Sequence, residues 1–190
     1  MRLFVAINVP KKEREKIHRA TRGLREQGYP VRWVRPELLH LTLKFLGDVR
    51  PDQLPAMEAV LEGIGNSTGS FPMEVGGFGA FPTLRRPRVL WVGVDPSPAL
   101  RCLKQDIEWG LSECGFERET RAFHPHFTLG RSTADRGAGA FRGLDDLAAE
   151  PSYRSEVEVR KVELMESHLS SSGPRYVVLS AFPLKGPRGR

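Results

Sequence analysis

The sequence predicts an α+β fold in which two halves face each other across a cleft. Three observations predict it. Hydrophobic periodicity and turn residues give the order strand, helix, strand, helix, two strands, helix, strand, short helix, two strands. Two nearly identical tetrapeptides, His40-Leu41-Thr42-Leu43 and His126-Phe127-Thr128-Leu129, each fall on a strand that follows a long helix. They begin 86 residues apart in a chain of 190, close to half its length, as an internal duplication would place them.

The elements follow in order. Apolar residues alternate through residues 2–8, a first strand; Ile17, Ala20 and Leu24 then recur at helical spacing in a helix from Pro10 that Gly28 and Pro30 end. Residues 31–34 form a short extended piece, and residues 40–46 alternate as a strand closed by Gly47-Asp48. Leu54, Met57, Leu61 and Ile64 mark a second helix, the Gly/Ser/Asn-rich residues 65–70 a loop, and residues 71–81 and 88–94 two strands joined through residues 82–87. Leu100, Leu103, Ile107 and Leu111 define a third helix stopped by Gly115. Beyond the second motif strand, the Gly/Ser/Ala-rich residues 132–140 read as a mobile connection. A short helix at 144–149 and strands at 156–164 and 176–179 complete the chain.

A chain of 190 residues, 39% hydrophobic and 27% charged, is long enough for one substantial core, so residues 1–190 are expected to form a single domain. The N-terminus turns charged at Lys11-Lys12-Glu13-Arg14 without the apolar run of a signal peptide, and no stretch approaches a bilayer span. The expectation is a soluble, cytoplasmic protein with no membrane partner. Cys102 and Cys114 share a helical segment that would hold them roughly 18 Å apart, beyond disulfide reach, and read as reduced thiols. A net charge of +6 favours an anionic partner, for which arginine suits phosphate, although much of the excess, including Arg188 and Arg190 in the tail, reads equally as a solvated surface.

In a β-strand alternate side chains share a face, so each motif histidine lies beside its threonine while Leu41, Leu43, Phe127 and Leu129 occupy the other side. A strand histidine is more often structural than catalytic. Yet two His-x-Thr pairs would arise by chance in such a composition only about once in seventy, which weighs against coincidence. Two imidazoles, titrating near neutrality, form an acid–base pair, and threonine hydroxyls add donors that do not titrate. That set suits phosphodiester cleavage, with attack and departure on opposite sides of phosphorus. Metal catalysis would need clustered carboxylates, and neither motif holds one; no metal and no cofactor are expected.

Most residues beside the motifs carry two readings. Arg131 follows through Gly130, which permits a bend, and either turns toward the phosphate or forms a surface ion pair. Lys44 shares the parity of His40 and Thr42, so it either adds positive potential to that face or is solvated. His124 reads either as a plain neighbour of His126 or as a residue that orients it, with Pro125 disturbing the strand. Trp33 is either a base-stacking ring or core, and Trp91 reads as core.

The chain resembles a known family in these same residues. His40 to Gly47 (HLTLKFLG) and His124 to Arg131 (HPHFTLGR) are similar to the paired HxTx signatures of the two-histidine (2H) phosphoesterases, specifically the bacterial and archaeal RNA 2′,3′-cyclic phosphodiesterases also called 2′-5′ RNA ligases. The start Arg2-Leu3-Phe4-Val5-Ala6, the lead-in Arg32-Trp33-Val34-Arg35-Pro36-Glu37, Pro87-Arg88-Val89-Leu90-Trp91-Val92-Gly93 and Glu166-Ser167-His168-Leu169 extend the resemblance over nearly the whole chain. It implies a two-lobed, pseudo-symmetric fold with antiparallel sheets lining a central cleft, helices packed outside and one motif in each half. It also implies metal-free hydrolysis of a terminal 2′,3′-cyclic phosphate to a 2′-phosphate. Under it His126 is the general base and His40 the general acid, Thr42 and Thr128 bind the phosphate, and Arg131 is a further candidate there; the near-symmetric sequence also permits the opposite assignment of acid and base. The implied partner is RNA bearing such ends, tRNA fragments included, acted on by a monomer. Alternatives are 2′-5′ ligation, a small cyclic-nucleotide phosphodiesterase and a non-catalytic RNA-binding module.

Overall fold

The computed structural model describes residues 1–133, 139–150 and 152–187. Part of the connection read as mobile, residues 134–138, and the tail arginines Arg188 and Arg190 lie outside the described residues.

Nine strands form one antiparallel sheet. They are β1 (Arg2–Ile7), β2 (Val31–Trp33), β3 (Leu41–Asp48), β4 (Phe71–Pro82), β5 (Pro87–Val94), β6 (His126–Ser132), β7 (Arg154–Val159), β8 (Lys161–Ser170) and β9 (Gly173–Pro183). Their order is β7-β4-β5-β6-β3-β1-β8-β9, with β2 paired to β6 off this path. The sheet curls into a half-barrel. The motif strands β6 and β3 stand at its middle with three strands beyond each, and among the described residues Leu41↔Phe127 is the one backbone pairing that joins them.

Helices cover the convex side: α1 (Lys11–Ala20), α2 (Arg22–Glu26), α3 (Leu54–Ser67), α4 (Pro98–Glu113) and the short α5 (Leu144–Ala149). α3 packs on α4 and β9, and α4 on β3. The apolar stripes read from the sequence are the buried ones, with Ile17, Met57, Leu61, Leu100, Leu103, Ile107 and Leu111 all inaccessible beside Leu41, Phe127 and Leu164. Ser97 caps α4 by accepting from the Leu100 N–H at 3.3 Å. A smaller cluster, Phe4, Ala6 and Met165 with Tyr176, lies apart from this core.

Three boundaries differ from the sequence reading. The first helix breaks at Thr21, whose hydroxyl bonds the Ile17 carbonyl at 3.0 Å. The second runs into the expected loop as far as Ser67, with Gly65 packed against the end of β9, where a Cβ would come 2.7 Å from the Pro183 carbonyl oxygen. The single strand expected at 156–164 is two, β7 and β8, parted at Arg160, and they pair with β4 and β1 on opposite flanks of the sheet. The antiparallel sheets expected in the plural are one continuous sheet. No helix among the described residues is long and apolar enough to cross a membrane, and Cys102 and Cys114 are free thiols.

Candidate active site

Each motif opens its strand, and the Leu41↔Phe127 pairing sets how the two meet. Continuing that antiparallel register by one residue either way puts His40 opposite Thr128 and Thr42 opposite His126. Leu41 and Phe127, 1% and 0% exposed, point into the core, so alternation turns all four polar side chains to the concave face.

The two imidazoles are held alike. Nδ1 of His40 lies 2.7 Å from the Leu38 carbonyl, and Nδ1 of His126 lies 2.7 Å from the His124 carbonyl. A carbonyl can only accept, so each Nδ1 carries its hydrogen and donates. Among the described residues each Nε2 has no hydrogen-bond partner; it is an acceptor in the neutral ring and a donor in the charged one. Aromatic rings brace both: Phe4 and Tyr176 lie with their centroids 5.0 Å from the His40 ring, and Phe81 lies 5.1 Å from His126 with Trp91 at 6.4 Å. Burial by these rings pushes both histidine pKa values below the ordinary imidazole value. The carbonyl bonds oppose that shift; the positive charge of Arg131 adds to it at both rings, as do the neighbouring imidazoles.

Each motif strand bulges one residue after its threonine. In β3 the register passes from Thr42↔Ala6 to Lys44↔Val5, leaving Leu43 extra; in β6 it passes from Thr128↔Trp91 to Gly130↔Leu90, leaving Leu129 extra. A bulge reverses the alternation beyond it. Phe45 therefore reaches the concave face in β3, and Arg131 reaches it in β6. Phe45 stands 74% exposed, its ring 6.2 Å from Phe4. Among the described residues Arg131 has no ion-pair partner, which leaves its side chain on the face it shares with the histidines.

The bulge at Leu43 also decides Lys44, and pairing places the other residues beside the motifs. Lys44 is neither on the motif face nor solvated: its side chain is 4% exposed beneath α4, paired with Glu108 and donating to the Glu117 carbonyl at 2.7 Å. His124 orients His126 through its carbonyl, while its own ring is exposed 6.2 Å from Phe81. Trp33 packs in the core. Trp91, read as core, faces the motif side beside His126, and its ring lies over Gly79, where a Cβ would meet it at 2.4 Å. The reading missed Phe45, Tyr176, Phe81 and Phe4. The 86-residue offset was a usable signal for the first, since it aligns Phe45 with Arg131.

Among the described residues no group of three or more His, Cys, Asp or Glu side chains converges as a metal site. The motif residues line neither a cavity of about 210 Å³ beside Gly93 nor one of about 410 Å³ between α4 and residues 118–123.

The family profile described as LigT-like phosphoesterase matches the chain twice, over residues 7–91 and 92–176, once around each motif. A protein of Archaeoglobus fulgidus named RNA 2′,3′-cyclic phosphodiesterase is 35% identical over 184 residues, 96% of this chain and 99% of that one. One of the same name from Aeropyrum pernix is 36% identical over 162 residues, 80% and 85% of the two chains. Another, from Geobacillus stearothermophilus, is 30% identical over 98% of this chain, which spans 59% of that longer protein. Among solved structures, the Thermus thermophilus protein TT0787 superposes with a TM-score of 0.80 at 27% identity, covering 98% of this chain and 99% of that one. Escherichia coli LigT complexed with 3′-AMP superposes at 0.74 with 26% identity, over 96% and 97%.

Proposed function

The chain belongs to the LigT-like phosphoesterase family, and from that premise we propose that it is an RNA 2′,3′-cyclic phosphodiesterase, a hydrolase that opens a terminal cyclic phosphate to a 2′-phosphate without a metal ion. One observation carries the two-histidine mechanism: the matched Nδ1–carbonyl bonds, which present Nε2 of both rings to a single face. Neutral His126 takes a proton from water through Nε2 as the water oxygen bonds to phosphorus. The P–O3′ bond breaks in line with it, and protonated His40 gives its Nε2 proton to the departing O3′. The products are a 2′-phosphate and a 3′-hydroxyl.

Thr42 and Thr128 donate to the non-bridging oxygens, and Arg131 neutralises charge that spreads over them in the transition state. Phe45 offers an exposed face on the His40 side for the terminal base. The names of the relatives support RNA as the substrate, and the co-crystallised nucleotide in the Escherichia coli LigT structure supports nucleotide binding by this fold.

The test is an oligoribonucleotide ending in a 2′,3′-cyclic phosphate, incubated with the protein in excess EDTA. The expected product is the 2′-phosphate-ended oligonucleotide at an undiminished rate. Product formed only after a divalent metal is restored overturns the metal-free mechanism, and a 3′-phosphate overturns the place given to the acid.

A further inference from the structure

Arg32 and Arg131 stand directly opposite each other on β2 and β6. Their neighbours settle the face. Trp33 pairs with Gly130 and packs into the core, and a Cβ on Gly130 would meet Val31 and Trp33, so the alternation turns Arg32 to the same concave side as Arg131. Side chains at such positions start about 5 Å apart, and like charges directly opposite each other are destabilising. A carboxylate between them would relieve the repulsion. Among the described residues neither guanidinium has an ion-pair or hydrogen-bond partner, while Arg35 nearby is paired with Glu37. An exposed cation pair that no described residue neutralises, at the edge of the proposed phosphate site, is stabilised by anions brought from outside.

One phosphate does not need both. Arg131 acts on both histidine rings and is already committed to the reacting phosphate, whereas Arg32 lies one strand further from them. We infer that Arg32 binds the phosphodiester on the 5′ side of the terminal nucleotide, so that the site grips two consecutive phosphates and favours the ends of RNA chains over mononucleoside cyclic phosphates. This rests on the proposed function, since it takes Arg131 to hold the terminal phosphate. Arg32 is a specificity residue: it touches no reacting atom.

The test separates the subsite from the reaction by using binding rather than turnover. Adenosine 2′,5′-bisphosphate carries the product phosphate together with one in the place of the upstream linkage; 2′-AMP carries the first alone. Calorimetric titration of the wild-type protein is expected to show the bisphosphate bound about fivefold more tightly than 2′-AMP at low salt. Arg32→Ala brings that ratio close to one and Arg32→Lys retains part of it; Arg32→Gln, which keeps much of the aliphatic stem, serves if the alanine variant does not fold. Absence of the preference in the wild type, or its persistence in the variants, overturns the inference, as does an equal loss for both ligands. If the protein shows this preference but leaves cyclic phosphates intact, the proposed reaction falls and the two-phosphate site stands. If it hydrolyses them with no such preference, the reverse holds.

Discussion

Leu41 and Phe127 pair across the seam between the motif strands, both inaccessible to solvent, and this one contact sets the register of the whole candidate site. Phe127→Ala is expected to cost about 3–5 kcal/mol in urea denaturation through the cavity it leaves. Phe127→Leu costs about 1 kcal/mol. Turnover is expected to fall further in the leucine variant than its stability change explains, because His40 and Thr128 then meet less accurately; turnover unchanged by the leucine variant would show that the seam does not govern the site.

The separate roles proposed for the histidines make them distinguishable by leaving group. Alanine at either His40 or His126 is expected to lower hydrolysis of the cyclic phosphate by about 10²-fold or more. On a p-nitrophenyl phosphodiester, whose departing oxygen needs no proton, His40→Ala recovers much of the loss and His126→Ala does not. Recovery by the other variant would exchange acid and base.

The pH dependence follows from burial and charge. Both imidazoles titrate below the ordinary value of about 6.5, and in the proposed mechanism the competent form holds one proton on the pair. The profile of kcat/KM is therefore a bell with its maximum on the acid side of that value, falling as pH rises and the last proton leaves. Arg131→Gln removes a cation that disfavours the charged form of both rings, so both midpoints are expected to rise. NMR titration of the ring signals in the free protein reads this directly, and unshifted midpoints would detach Arg131 from the site.

Phe45 gives little to the fold because it is mostly exposed. Phe45→Ala is expected to leave the melting temperature nearly unchanged while weakening nucleotide binding by about 1–3 kcal/mol, the range for a base stacked on a ring. A large loss of stability with unchanged binding would assign the ring to packing.

Lys44, Glu108 and Lys104 form a buried charge cluster under β3, with the Glu119 N–H donating to Glu108 at 3.0 Å. Burial alone would raise the Glu108 carboxyl; hydrogen bonds from Lys104, Lys44 and Glu119 outweigh it and hold the carboxyl below its ordinary value. The stability it supplies is present above about pH 4.5 and lost as pH falls through the lowered value. Glu108→Gln leaves both lysines uncompensated and is expected to cost about 3–5 kcal/mol, measured by denaturant unfolding at neutral pH. The triple variant Lys44→Met, Lys104→Met, Glu108→Leu, which removes both lysines with their carboxylate, is expected to recover most of that.

Much of this protein was legible in the chain itself. The two His-x-Thr tetrapeptides identified the four facing side chains, since period-two alternation is a local property of a strand and is written in consecutive residues. Helical stripes such as Leu100, Leu103, Ile107 and Leu111 were equally plain. The split at Arg160 was missed: the alternation changes phase there, from Val157 and Val159 to Val162 and Leu164, but nothing local records that the two pieces pair with β4 and β1 on opposite flanks.

What only the tertiary structure decided comes after each threonine. The bulges at Leu43 and Leu129 exist because β1 and β5 accept one residue fewer, a property of the partner strand that no local pattern records. They sent Lys44 into the core, and brought Phe45 and Arg131 to the face where the histidines stand. Arg32 joined them through a pairing with a strand almost a hundred residues away. The sequence by itself determined which histidines and threonines share the motif face; long-range pairing decided which charges and rings surround them, because a side chain's face beyond a bulge depends on the neighbour it pairs with.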